Sequence, residues 1–127
     1  MTETEKREIV QKFVTGLRSG DVTLLKSVVT DDVVWSLPGK SLMSGEVHGV
    51  DGIVKRSETI QRYGVNIQVE HVVFGYQDVA IRAHNTGIRG DKILDEYLAT
   101  VFRLRENKIY RIDTFLSNVD MVNAFFV

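Results

Sequence analysis

The sequence predicts an α+β fold in which helices come first and an antiparallel sheet follows. The chain has 127 residues, a length typical of one domain. Apolar residues recur at helical spacing up to about residue 63, and from residue 65 onwards they alternate with polar ones. A run of helices followed by a run of strands is the pattern of segregated α+β domains. We therefore expect a single domain over residues 1–127.

The first predicted element is an amphipathic helix over residues 4–19. Its apolar face is formed by Ile9, Val10, Phe13, Val14 and Leu17. Thr2 or Thr4 is placed to cap its start, and Gly20 lies just past its end.

Two further helices are expected before the long strands begin. A short helix starts after Asp21 and is broken by the pair Asp31-Asp32. Its apolar positions are Leu24, Leu25, Val28 and Val29. A third helix covers residues 51–63 approximately, with Asp51 as its N-cap.

The strands are predicted mainly in the second half of the chain. A short strand at 33–35 stands between the second and third helices. The four long strands are rich in β-branched and aromatic residues and cover 66–74, 79–86, 93–104 and 108–116. Short turns between them predict an antiparallel meander. Ser117 looks like the start of a capping box and opens a last helical turn.

Composition and charge exclude several classes of partner. The 16 basic and 17 acidic residues nearly balance, so we expect no nucleic acid and no anionic membrane as partner. The lack of cysteine excludes disulfides and cysteine-ligated zinc. No stretch approaches the ~20 apolar residues of a membrane span, and the polar N-terminus lacks a signal-peptide core, so a cytoplasmic location is expected. No phosphate-binding loop or metal-ligand spacing is present, so we expect no cofactor and no metal.

Four stretches of the sequence carry a resemblance to a known superfamily: KFVTGLRSGD, VTDDVVWSLPG, VHGVDGI and VFRLRENKIYRIDTFLS. In their order and spacing they resemble the nuclear transport factor 2-like superfamily, in particular ketosteroid isomerase and the polyketide cyclase-like domains. The resemblance covers nearly the whole chain. It implies a cone-shaped α+β barrel, with a curved antiparallel sheet wrapped around the N-terminal helix and a cavity at the wide end. Members are commonly dimers, and they include enzymes as well as non-catalytic binding proteins.

The residues that perform ketosteroid isomerisation are replaced in this chain. In that enzyme an aspartate before a proline abstracts the proton, and the matching residue here is Leu37. Its first-helix tyrosine corresponds to Phe13, and its second oxyanion donor, a protonated aspartate, corresponds to Thr100. Acid–base catalysis needs an ionisable group within hydrogen-bond reach of the substrate. We therefore expect this chain not to act by the ketosteroid isomerase mechanism.

Strand alternation predicts a mostly apolar set of side chains on the inward face of the sheet, which is the usual composition of a small-molecule site. The predicted ligand-binding residues are Phe13, Trp35, Leu37, Asn85, Leu98, Thr100, Tyr110, Ile112 and Thr114. A hydrophobic ligand that stacks on Trp35 or Phe13 suits this lining.

Two ionisable residues are predicted to share the inward face and are candidates for acid–base chemistry. His71 alternates with Val69 and Val73, so we expect it to face the cavity, where a histidine can act as a general base. The alternative is a strand-edge histidine that hydrogen-bonds a neighbour or water. Burial of Glu96 on its strand would suit it to acid–base work. The alternative, which the sequence favours, is a solvated carboxylate at the rim.

Asp113 is a third catalytic candidate, because cyclase-like relatives use an aspartate near this point. In the predicted register it points outward, where Arg82, Arg103 or Arg111 could pair with it. A one-residue slip or a β-bulge would turn it inward instead of Thr114.

Two functions remain open from the sequence. The first is a small-molecule-binding protein, and one form of this hypothesis is an isomerase, cyclase or dehydratase that acts on a hydrophobic metabolite in the cavity. The second is a non-catalytic dimerisation or protein-interaction module. The strand at 93–104 is apolar on both faces, so its outer face needs a cover, and a second copy of the chain is the simplest one. We therefore expect a homodimer through the sheet face.

Overall fold

A computed structural model describes the whole chain, Met1–Val127, as four helices and six strands. The helices are α1 (Glu3–Ser19), α2 (Val22–Val28), α3 (Gly49–Arg62) and α4 (Val119–Phe125). The strands are β1 (Val29–Leu37), β2 (Gly45–His48), β3 (Asn66–Phe74), β4 (Val79–Arg89), β5 (Lys92–Arg105) and β6 (Lys108–Leu116). None of the four helices has the length and apolar character of a membrane-spanning segment.

All six strands form one curved sheet in the order β2-β1-β6-β5-β4-β3. The predicted meander of four long strands is confirmed, and α1 lies against the concave face of the sheet. The sheet is mixed, because β1 runs parallel to β6 while every other neighbouring pair is antiparallel. The sequence did not predict β2 or this parallel pairing. The resulting α+β cone fold is the one that the resemblance implies.

The ends of the helices follow local capping rules, with three differences from the prediction. Thr2 and Glu5 form a reciprocal capping box at the start of α1. Val29 begins β1 and does not end α2, so the short strand predicted at 33–35 is longer. Asp51 lies within the first turn of α3, which starts after His48 without a side-chain cap. The N-cap of α4 is Asn118 and not Ser117, because the Asn118 side chain accepts from the Met121 N–H.

A β-bulge in β3 overturns the predicted orientation of His71. Val69 pairs with Ala83, but His71 pairs with Arg82, so Glu70 is an extra residue on the bulged strand. Beyond the bulge the alternation is inverted, and His71 shares the outward face with Arg82 and is exposed. The inward prediction for His71 is therefore wrong.

A second bulge in β6 changes the position of Tyr110. Leu104 pairs with Ile109 and Arg103 pairs with Arg111, which leaves Tyr110 as the extra residue. The Tyr110 ring lies under the Arg105 guanidinium, 5.0 Å from ring centroid to Cζ, outside the cavity. The prediction that Tyr110 faces the cavity is therefore wrong.

Candidate ligand-binding cavity

A largely apolar cavity of about 70 Å³ lies between α1, β1, the concave face of the sheet and α4. Eight of the side chains that the sequence predicts on the inward face line this cavity: Phe13, Trp35, Leu37, Asn85, Glu96, Leu98, Thr100 and Thr114. Ile112 was also predicted to line it; the side chain is fully buried but packs in the core away from the cavity wall. Phe13 packs edge-on against both Trp35 and Phe102, with ring centroids 5.8 and 5.4 Å apart, and so forms an aromatic wall.

The polar groups beside the aromatic wall form a hydrogen-bonded chain. The Trp35 Nε1–H donates to Thr114 Oγ1 at 2.9 Å, and the hydroxyls of Thr114 and Thr100 are 3.0 Å apart. Only one of the two hydroxyl hydrogens can lie between the two oxygens, and neither hydroxyl donates to another protein group. One hydroxyl donor is therefore left for a ligand acceptor on this wall.

A second polar layer lies nearer the wide end, where Asn85 and Glu96 are directly opposite on β4 and β5. Glu96 is 1% exposed, so the alternative of a solvated rim carboxylate is wrong. Its Oε1 accepts from the Ser117 N–H at 2.9 Å, and its Oε2 accepts from the Ser117 hydroxyl at 2.6 Å. The Oδ1 atom of Asn85 is buried and has no hydrogen-bond partner. These two acceptors line the cavity together.

Arg56 supports the cavity wall from behind. Its guanidinium lies over the Trp35 ring, 5.0 Å from the centroid. Nη1 donates to the Trp35 carbonyl at 2.8 Å and Nη2 to the Gly45 carbonyl at 2.6 Å, while Nε has no partner. Arg56 is 3% exposed and pairs with no carboxylate, and burial lowers its pKa to about 10. The side chain thus joins β1 and β2 and holds Trp35 in place.

The wide end is closed by the C-terminal segment and the loop at 38–44. Val122 and Phe126 from the first and Met43 from the second line the cavity. The Lys40 N–H donates to Asn123 Oδ1 at 2.7 Å, and the loop is joined to Phe126 by a second bond, from a backbone N–H to its carbonyl. Sequence reasoning missed these residues, although the apolar run at the C-terminus signalled a buried segment.

The three catalytic candidates do not come together. His71 and Asp113 lie on the outer face of the sheet, and only Glu96 reaches the cavity. His71 and Glu96, which the sequence predicts on the same inward face, therefore lie on opposite faces of the sheet and cannot pair across the cavity. Of the two orientations that the sequence leaves open, the structure has Asp113 pointing outward and Thr114 lining the cavity.

Asp113 is held on the outer face by hydrogen bonds and charge. Its Oδ1 accepts from the Ser36 hydroxyl at 2.7 Å, and both oxygens accept from Arg111 Nε. Burial acts to raise the pKa of Asp113, but the bonds from Ser36 and Arg111 and the positive charges of Arg111 and Arg103 outweigh it. The net effect lowers the pKa below its ordinary value. No three histidine, aspartate or glutamate side chains converge where they could share a metal ion.

The chain is similar to known proteins in sequence and in fold. A sequence model of the SnoaL-like domain matches residues 10–112. Bal32a, from a soil-derived mobile gene cassette, superposes with a TM-score of 0.89 and 21% identity over 98% of both chains. TerC, co-crystallised with polyporic acid, gives 0.81 and 16% over 95% of this chain and 98% of its own. IdmH from Streptomyces antibioticus, a proposed polyketide cyclase, gives 0.74 and 18% over 96% and 99%. At these identities the solved structures share the fold, and no protein with a curated description matches.

Proposed function

Because the chain belongs to the SnoaL-like domain family of the nuclear transport factor 2-like superfamily, we propose that it binds a hydrophobic small molecule in the cavity beside Trp35. The observation that carries the proposal is an apolar cavity with a few hydrogen-bonding groups at fixed places in its wall, which is how small-molecule sites are built. That TerC was co-crystallised with polyporic acid supports the same use of this fold.

The ligand enlarges the cavity when it binds. About 70 Å³ is well below the roughly 300 Å³ at which sites for drug-sized ligands begin. Met43 and Phe126 lie on the two segments that close the wide end, and those segments meet through the bonds made by Lys40 and Phe126. A ligand that displaces these side chains toward solvent gains space without disturbing the aromatic wall.

The chemistry that the cavity supports best acts on a carbonyl compound, as in an isomerase, cyclase or dehydratase. The free hydroxyl hydrogen of the Thr100–Thr114 pair can donate to a carbonyl oxygen and stabilise charge that develops there. Glu96 is the one carboxyl group in the wall and is the candidate acid or base. The proposed polyketide cyclase IdmH, which shares the fold, supports this class of reaction.

The proposal is tested by thermal unfolding in the presence of apolar aromatic and terpenoid compounds, with polyporic acid among them. A ligand that binds only the folded chain raises the midpoint of unfolding with its concentration. Ala83 is fully buried in the cavity wall, so Ala83→Leu fills the cavity and should remove the shift, with Ala83→Val as a milder version. A flat response of the wild type across the panel, or an equal shift in the wild type and Ala83→Leu, contradicts cavity binding.

The exposed outer face of the sheet supports a second proposal, a homodimer or protein-interaction surface. Phe115 is 59% exposed and Tyr97 43%, and Phe115 lies opposite Ala99 on the neighbouring strand. A second copy of the chain would bury this apolar strip. We expect sedimentation to give a dimer that Phe115→Glu dissociates and Leu42→Glu, an equally exposed loop position, does not. A wild-type monomer contradicts the homodimer. A cytoplasmic location stays a prediction.

A further inference from the structure

We infer that the ligand of this cavity carries a hydrogen-bond-donating group, best a protonated amine, which meets Glu96 and Asn85. The inference rests on the proposed function, that the cavity binds a small molecule, and it names the chemistry of that molecule at one end. Three features carry it: the buried Glu96 carboxyl group with no cation beside it, the unpartnered oxygen of Asn85, and the separation of both from the hydroxyl donor of the Thr100–Thr114 pair.

The carboxyl group of Glu96 lies in the cavity wall without a positive partner. Both oxygens accept hydrogen bonds from Ser117, but no lysine, arginine or histidine forms an ion pair with it. A carboxylate oxygen can accept two hydrogen bonds, so each oxygen has one acceptor position left. A buried negative charge is costly unless a cation or further donors face it.

The Asn85 oxygen adds a second acceptor at the same level. Asn85 and Glu96 are paired residues of adjacent antiparallel strands, so their Cβ atoms are about 5 Å apart on the same face. Buried polar atoms almost always have a partner, and an exception calls for one that the protein itself does not supply. A primary ammonium group has three donors and can satisfy both residues at once.

The position of this layer fits a ligand that enters from the wide end. Ser117 lies two residues before α4, and α4 and the residue after it close that end with Val122 and Phe126. Thr100 lies four residues from Glu96 on the same strand, which is about 14 Å along β5. The donor group of the ligand would therefore lie near the mouth, while its apolar body extends toward the aromatic wall.

Four probes of nearly equal size differ mainly in the polar group of the ligand: 1-phenylethylamine, 1-phenylethanol, acetophenone and benzoate. Their dissociation constants at neutral pH can be measured by NMR titration of the full chain. We expect the amine to bind best, the alcohol next, and the two compounds without a donor least. The amine should exceed benzoate by on the order of tenfold to a hundredfold, the effect of one charge-assisted hydrogen bond.

Variants assign this preference to the two residues. Glu96→Gln keeps the shape of the side chain and should abolish the preference for the amine over the alcohol. Asn85→Leu should weaken the binding of both the amine and the alcohol without changing the dissociation constant of acetophenone. Asp95→Asn is the matched control, because it removes the same charge one residue away on the outer face, where Asp95 pairs with His84. If Glu96→Gln does not fold, Asn85→Leu carries the test.

The outcomes separate the inference from the proposed function. Equal binding of all four probes to the wild type, lost in Ala83→Leu, would leave the cavity site intact and overturn the donor preference. Tighter binding of acetophenone or benzoate than of the amine would overturn the donor preference as well. Binding of none of the probes, with the compound panel also without effect on unfolding, would overturn the cavity site itself.

Discussion

Trp35 and Thr114 are 79 positions apart in the chain and are joined by a buried hydrogen bond of 2.9 Å from the indole Nε1–H to the hydroxyl oxygen. The bond crosses the parallel pairing of β1 and β6 and orients the only tryptophan of the chain toward the cavity. Its loss has a defined consequence. Thr114→Val leaves a buried indole N–H without an acceptor. We expect urea denaturation to show a free energy of unfolding lower by about 1–3 kcal/mol than that of the wild type.

Thr100→Val is the matched control for that variant. It removes the hydroxyl that contacts Thr114 but keeps the acceptor for the indole N–H, so its cost should be smaller. An equal loss of stability in the two variants would show that the indole bond is not the main contribution.

Arg56 should be irreplaceable by lysine. A single ammonium group lacks the planar fork with which Arg56 reaches the carbonyls of Trp35 and Gly45. We expect Arg56→Lys to lower the free energy of unfolding by about 1–3 kcal/mol and to shift the Trp35 emission spectrum. Lys55→Ala, at the exposed neighbouring position, should change neither measurement. Wild-type stability and emission in Arg56→Lys would contradict this role.

The acid stability of the chain should depend on Asp113. Its pKa is lowered in the folded chain, so the carboxylate stabilises the fold above its unfolded-state pKa of about 3.9, and this contribution is lost as the pH falls through the lower folded-state value. The difference in unfolding free energy between the wild type and Asp113→Asn should be largest at neutral pH and shrink in acid. A difference that does not vary with pH would argue against a lowered pKa.

The bond between Lys40 N–H and Asn123 should control access to the cavity. Asn123→Ala removes the acceptor and leaves the loop at 38–44 held to the C-terminal segment only by the bond to the Phe126 carbonyl. Association of a cavity ligand, followed by stopped-flow fluorescence of Trp35, should therefore become faster. Lys40→Ala keeps the backbone N–H and serves as the control with an unchanged rate. An unchanged rate in Asn123→Ala would mean that the ligand enters elsewhere.

Much of the fold could be predicted because the patterns that encode it are local. The third and sixth strands were predicted with the bounds that they have, since β-branched and aromatic residues fill both and turn residues flank them. The inward set from β4 and β5 was also correct, because these two strands pair without interruption from Val79 to Arg89. There the period of two fixes which side chains face the cavity.

The rest depended on irregularities and distant pairings. The extra residues at Glu70 and Tyr110 invert the alternation, and each misplaced a predicted site residue, His71 in one strand and Tyr110 itself in the other. The consecutive polar residues Glu70 and His71 were the only sign of the first bulge. The parallel pairing of β1 with β6 joins segments far apart in sequence, and neither segment alone indicates its partner.

The most direct test of the account is the ¹⁹F NMR spectrum of the chain labelled with 5-fluorotryptophan. Trp35 is the only tryptophan and lines the cavity, so one resonance reports on the site. We predict that a hydrophobic ligand shifts this resonance saturably in the wild type and not in Ala83→Leu, where the cavity is filled. A resonance that does not move at saturating ligand, or that moves equally in both, would contradict a binding site beside Trp35.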